Sequence, residues 1–239
     1  MTHDQAVNIH ILVGSLALLL YWIPLLSRKG GARHKAFGRP FFISLVLVAV
    51  SVGPLLFLRP GAFDPAHVVQ FTYLSISLVT VSALGWTAIR WKNQPERFRG
   101  LHFKLLGPVL LLLGTVVLAA GLVNRDPLPV VLSSVGLFYG STMLRFAWVR
   151  GPLHPTWWLN WHLNAVCGLF TAVHGTVLFV AWQWLVAPEA GHDVAALFHL
   201  LVLVMAIAMR LWFGAQRGVP LRFKLGRGAP APETAHAAL

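Results

Sequence analysis

Seven apolar runs leave this chain one class of fold. A helix needs about 20 apolar residues to cross the hydrocarbon core of a bilayer. Runs of that order cover Ala6–Leu26, Pro40–Leu58, His67–Ile89, Leu101–Val123, Leu128–Val149, Asn160–Trp184 and Val194–Gly214. Of the 239 residues, 57% are hydrophobic and 11% charged, where a soluble domain carries about 25% charged residues. There is too little polar surface to coat a water-soluble globule. The expectation is an all-α, polytopic integral membrane protein with seven transmembrane helices over residues 1–226. Short connections make neighbouring spans antiparallel. The closing RGAPAPETAHAAL, residues 227–239, has no periodicity and reads as a disordered cytoplasmic tail.

Charge asymmetry sets the orientation, because cytoplasmic loops collect Lys and Arg. Seventeen of the 19 basic residues fall after the first, third, fifth and seventh spans. Only Arg59 and Arg125 fall on the other side, which takes Asp4, Asp64, Asp126, Glu189 and Asp193. This places the N-terminus outside and the C-terminus inside, in a bacterial cytoplasmic membrane. The net charge of +12 does not suggest a nucleic-acid partner, because it is shared among loops and forms no single basic face. The start, MTHDQ, lacks a basic n-region, so the first span is expected to serve as its own insertion signal. Cys167 is the only cysteine and lies within an apolar run, which excludes an intrachain disulfide and a thiolate zinc site.

Small residues mark where spans pack in lipid. The fourth span carries Gly107, Gly114 and Gly121, the fifth Ser133, Gly136 and Gly140, the sixth Ala165, Gly168, Ala172 and Gly175. These three spans are expected to form one tight unit. The tryptophans gather near the two membrane surfaces and read as interfacial anchors. RHKAFGRP, RFRGLHFKLLGP and RGPLHPTWWLNWH each bring basic residues and a histidine to the next span. Either a duplicated hairpin or convergence at the interface accounts for this.

Ionisable groups are costly in lipid and are functional candidates by default. Histidine is the type that enters the apolar runs. In the sixth span Asn160, Asn164, Cys167, Thr171 and His174 share a sector roughly 80° wide, ending on a histidine beyond mid-membrane. The third span offers Gln70, Tyr73, Ser77 and Thr80; Ser and Thr can satisfy themselves on the preceding turn, so Gln70 is the one that needs an outside partner. By depth, His10, His67, His174 and His199 are expected to converge in the outer half. His34, His102, His154 and His162 lie at the cytoplasmic face, where lipid phosphate suits His34 and His102.

Facing imidazoles with small residues beside them fit haem b, and the same residues suit a bare transition metal. His10, His174 and His199 are the candidate cofactor ligands, with His67 a fourth metal candidate. Asn164, Thr171, Gln70 and Tyr73 form a polar lining. His162 and His174 lie about 18 Å apart along one helix but roughly 120° apart around it, which argues for one outer site and against a two-haem wire. The absence of Asp and Glu from every span interior counts against a cation-coupled pump. No mid-span lysine is present for a retinal Schiff base. No acid or base stands by the histidines for a zinc hydrolase.

HILVGSLALLLYWIPLLSRKGGARHKAFGRPFFIS, through His10, Gly14, Lys29, Gly30, His34, Gly38 and Arg39, resembles the opening of a family of uncharacterised bacterial multi-span membrane proteins. RFRGLHFKLLG, through His102, resembles that family's entry to its fourth span. The resemblance implies the multi-span fold and carries no activity. The layout is also similar to zinc-dependent membrane ceramidases, but their second-span and seventh-span histidine motifs are missing here. Three functions remain open: a redox protein exchanging electrons with quinol or a periplasmic partner, a non-catalytic subunit or assembly factor of a larger membrane complex, and a transporter for a neutral or anionic solute.

Overall fold

The computed structural model describes residues 1–225; the expected tail, 227–239, lies outside them. Among the described residues eight helices follow one another: α1 His3–Leu26, α2 Ala32–Phe57, α3 Pro65–Arg90, α4 Pro95–Phe98, α5 Leu101–Asn124, α6 Pro127–Ala147, α7 Trp157–Leu185 and α8 His192–Gln216. All but the four-residue α4 are long and apolar enough to cross a membrane. The ends where α1, α3, α6 and α8 begin define an N-terminal face. The opposite face carries the basic connections.

Local chemistry fixes the helix ends. Thr2 and Gln5 form a capping box that starts α1. Asp64 and Asp126 cap α3 and α6, each followed by a proline at the first helical position. Two of the five acids used for the charge asymmetry, Asp64 and Asp126, are thus also caps. α2 begins eight residues before Pro40, so the basic stretch from Arg33 to Arg39 is helical.

The K-G-x-x-H segment clasps the end of α1. Pro24 lies inside α1. Lys29 Nζ donates to the Pro24 carbonyl at 3.1 Å and to the Leu25 carbonyl. His34 Nδ1 lies 3.0 Å from the same Pro24 oxygen. Gly30 turns the chain at φ 75°, a left-handed conformation that favours glycine. Burial and then the Arg217 guanidinium push the Lys29 ammonium below its usual range. His34, expected at lipid phosphate, also turns its Nδ1 to the chain's own carbonyl.

α5 and α6 pack backbone against backbone. A Cβ on Gly140 would stand 2.5 Å from Leu111 N, and one on Gly136 2.6 Å from the Leu110 oxygen. α7 does not complete this unit, as the small-residue stripes had suggested. It packs chiefly between α3 and α8, with Gly85 of α3 against Ala165 and Gly175 against His199. Tyr73, fully buried, crosses from α3 to α6: its hydroxyl donates to the Leu132 carbonyl at 2.9 Å and accepts from Gly136 N at 2.8 Å.

An aromatic cluster closes the basic face. Phe98 of α4 packs on Phe103, Trp157 and Trp161, and Phe223 stacks on Trp161 at 5.1 Å. Trp157 and Trp161 are therefore core residues, unlike the interfacial anchors expected. Trp22, Trp148 and Trp212 are exposed on the apolar outside, as anchoring requires.

The segment after α8 returns as a strap. His154 N donates to the Phe223 carbonyl at 2.7 Å, and Leu225 N to the Pro152 carbonyl at 3.1 Å. Burial and then Arg222 push the His154 imidazole below its ordinary value. A depressed histidine stabilises the fold above the unfolded-state value and loses that contribution as pH falls through the folded one. Hydrogen exchange of the His154 and Leu225 amides should show full protection at pH 7.5. At pH 5 protection should be lower, after correction for the intrinsic rate. Protection unchanged at pH 5 would refute the linkage.

Candidate functional site

A cavity of about 1210 Å³ opens at the N-terminal face between α1 and α2 on one side and α3, α5, α6, α7 and α8 on the other. Its mouth holds Asp64, His67, Asp126 and His192, its middle His10, Gln70, Thr171 and His199, and its deep end Ala17, Tyr139 and Gly168. The walls are mainly aliphatic, as in most ligand sites. α1 packs mainly on α2 and meets α7 at the level of Tyr21, where the Tyr21 hydroxyl donates to the Val166 carbonyl. Above that level the two helices part, which leaves the cavity its width.

Hydrogen bonds fix the state of each cavity imidazole. Ser51 Oγ donates to the Val48 carbonyl at 2.8 Å, so it can only accept from His10 Nδ1, 2.8 Å away. His199 Nδ1 lies 2.8 Å from the Ala195 carbonyl, which also only accepts. His67 Nδ1 meets the Asp64 carboxylate, and this bond holds the Asp64 carboxyl below its usual range. Each Nδ1 therefore carries the proton. In the neutral ring Nε2 then keeps its lone pair, the arrangement found where outer partners orient a metal-ligating histidine. None of these three Nε2 atoms has a protein hydrogen-bond partner among the described residues.

At the mouth His192 Nδ1 lies 2.6 Å from Asp126 Oδ2, joining the start of α8 to the cap of α6. Two histidine–carboxylate pairs thus stand at the entrance, Asp64–His67 and Asp126–His192.

His174 does not line this cavity. Its ring stacks on Phe170 at 4.0 Å and meets the edges of Tyr21 at 5.4 Å and Trp22 at 5.5 Å. Tyr21 is eleven residues beyond His10, about 16 Å further along α1. The α1–α7 crossing takes His174 into an aromatic cage formed by Tyr21, Trp22 and Phe170. Its Nδ1 is held by the Phe170 carbonyl, and its buried Nε2 has no partner. Of the expected set, the structure brings His10, His67 and His199 to one cavity and leaves His174 out.

The polar lining divides in the same way. Gln70 lines the cavity, and its amide has no protein partner among the described residues. Thr171 lines it with its hydroxyl turned back to the Gly168 carbonyl. Tyr73 is spent on α6. Asn164 lies beneath the cavity floor, where its carbonyl accepts from the Tyr139 hydroxyl at 2.6 Å.

Below that floor is a group that the charge count had placed with the basic residues after the seventh span. Arg210 lies within α8 and is 7% exposed. Its Nε donates to Asn164 Oδ1, and Nη2 donates to Asn160 Oδ1 at 2.7 Å. Nη1 has no hydrogen-bond partner, and no carboxylate lies within salt-bridge distance among the described residues. Asn160 Nδ2 in turn donates to the Pro220 carbonyl at 2.6 Å. The signal was present in the sequence: Asn160 and Asn164 one turn apart on one face, and a single arginine inside the seventh apolar run.

At the basic face His34 and His162 come together with ring centroids 6.4 Å apart, His162 Nδ1 lying 2.9 Å from the Gly85 carbonyl. No group of three or more His, Cys, Asp or Glu side chains close enough to hold a bare metal ion occurs among the described residues. No family model, curated protein or solved structure matches the chain.

Proposed function

We propose that this protein is a redox protein of the bacterial cytoplasmic membrane that holds a haem b in the cavity of its N-terminal face. The observation that supports this is a wide, mainly aliphatic cavity lined by His10, His67 and His199, each with its Nδ1 held by a partner in the chain and its Nε2 without one among the described residues. A haem brings four equatorial nitrogens and asks the protein for one or two axial imidazoles. A bare ion asks for a larger set of donors, and the walls supply single imidazoles from separate helices. His10 and His199, from α1 and α8, are the residues that would hold it.

Haem supplies a one-electron Fe(III)/Fe(II) couple. The chain's own residues orient the imidazoles through Ser51 and the Ala195 carbonyl. The walls around them are mainly aliphatic, and surroundings of this kind tune the potential. The charge asymmetry of the loops supports an outward-facing cavity. A group held there would exchange electrons with quinol or a partner outside the membrane. Pigment and metal analysis of detergent-purified protein tests the reading. About one iron per chain with a Soret band is the expected result. A colourless, iron-free protein that also gives no Soret shift on addition of hemin would remove it.

A transporter for a neutral or anionic solute is the second reading. It is favoured by the Tyr139–Asn164–Arg210–Asn160 layer, which seals an otherwise one-sided cavity above a buried positive charge. It expects uptake into liposomes that falls at least tenfold in Gln70→Leu, and unchanged uptake would count against it.

A further inference from the structure

The cavity has a side chamber of about 270 Å³ between the start of α1, the end of α2 and the start of α3. The two spaces share Val52, Leu55, His67 and Phe71. What sets the chamber apart is its polar end, where Arg59 joins His3 and His67. Arg59 is exposed and makes no salt bridge among the described residues. The two acids that line the main cavity are otherwise engaged. Asp64 caps α3 and holds His67, and Asp126 caps α6 and holds His192. Asp4, in the first turn of α1, makes no ion pair with it. His3 Nδ1 is buried without a hydrogen-bond partner. A free guanidinium beside two imidazoles therefore stands over an apolar channel that continues into the main cavity.

We infer that the chamber is a head-group site for an amphiphile with an oxyanion head, a carboxylate or a phosphate, whose apolar body runs past Val52, Leu55 and Phe71 into the cavity. A planar guanidinium with five donors matches either oxyanion in a forked, charge-assisted pair. A neutral head gains no such pair. A cationic head would meet Arg59 unfavourably and would find both mouth carboxylates already engaged. The apolar walls remove the tail from water, and Arg59 selects the head. The inference rests on the cavity being a ligand site and is independent of that ligand being haem.

Three ligands with one chain and different heads provide the test: oleate, oleyl phosphate and oleyl alcohol, each competing with radiolabelled oleate on the full chain in neutral detergent. Either acid should bind at least tenfold more tightly than the alcohol, and the tighter of the two assigns the head as carboxylate or phosphate. Arg59→Gln lies in an exposed loop and should erase that preference while leaving the alcohol's affinity unchanged; Arg59→Lys should retain part of it. Raised salt should weaken the acids and not the alcohol. Equal affinities for the three ligands, or a preference that survives Arg59→Gln, would overturn the inference. An iron-free protein would bear on the haem reading alone, because none of these probes carries a metal.

Discussion

Replacing Asn160 and Asn164 together by leucine is expected to destabilise the bundle by about 3–5 kcal/mol, the range for a buried charge left without its partners. In the folded protein the Arg210 guanidinium has two acceptors, the side-chain oxygens of these asparagines. Taking both away leaves a cation 7% exposed with nothing to replace its lost water. Asn160→Leu also removes the bond to the Pro220 carbonyl and so loosens the strap. Arg210→Met added to the double variant should recover a good part of the loss, because a polar set removed as a whole leaves no orphan. Unfolding in mixed detergent micelles, followed for wild type, double and triple variants, reads this directly. A triple variant no more stable than the double would show that the guanidinium is satisfied by some other group.

Gly140→Leu is the second change with a large expected effect. The substituted Cβ would lie 2.5 Å from Leu111 N and 2.8 Å from Leu111 Cα, atoms of the α5 backbone that cannot rotate away. α5 and α6 would have to separate along the whole seam, loosening the contacts at Gly114 and Gly136 as well. Overpacking of a fitted interface costs about 1–3 kcal/mol, sometimes more. Here the opposing atoms are backbone, so the upper end applies. Gly38→Leu is the control, since a Cβ there meets nothing within 4 Å. Equal thermal stability of Gly140→Leu and wild type would mean that the seam is not close-packed in the membrane.

The spans were legible because lipid makes hydropathy and length sufficient to find them. Their ends were less so, since caps and not hydropathy set them. Thr2 with Gln5 draws α1 back to His3, and α2 reaches back to Ala32 through residues that look like loop. The histidines could be sorted by depth along each helix, which put His10, His67 and His199 at one level. Depth along a helix says nothing about where helices cross. His174 has the right rise but falls where α1 turns onto α7, so its ring enters the Tyr21–Phe170 cage. The asparagine stripe showed that something polar faced α7. The partner was hidden because Arg210 sits two turns from the end of α8 and reads as one more basic residue of the inner face. The K-G-x-x-H segment carried a resemblance and no role, and the clasp on Pro24 could be seen only once the turn at Gly30 was in place.

The visible spectrum of the purified protein, compared across histidine variants, tests the central claim most directly. Wild type should show a Soret band that shifts on reduction with dithionite. The His10→Ala, His199→Ala double variant should lose it, and His174→Ala should keep it, because that ring lies outside the cavity. A full Soret band in the double variant, or one lost in His174→Ala alone, would contradict the account.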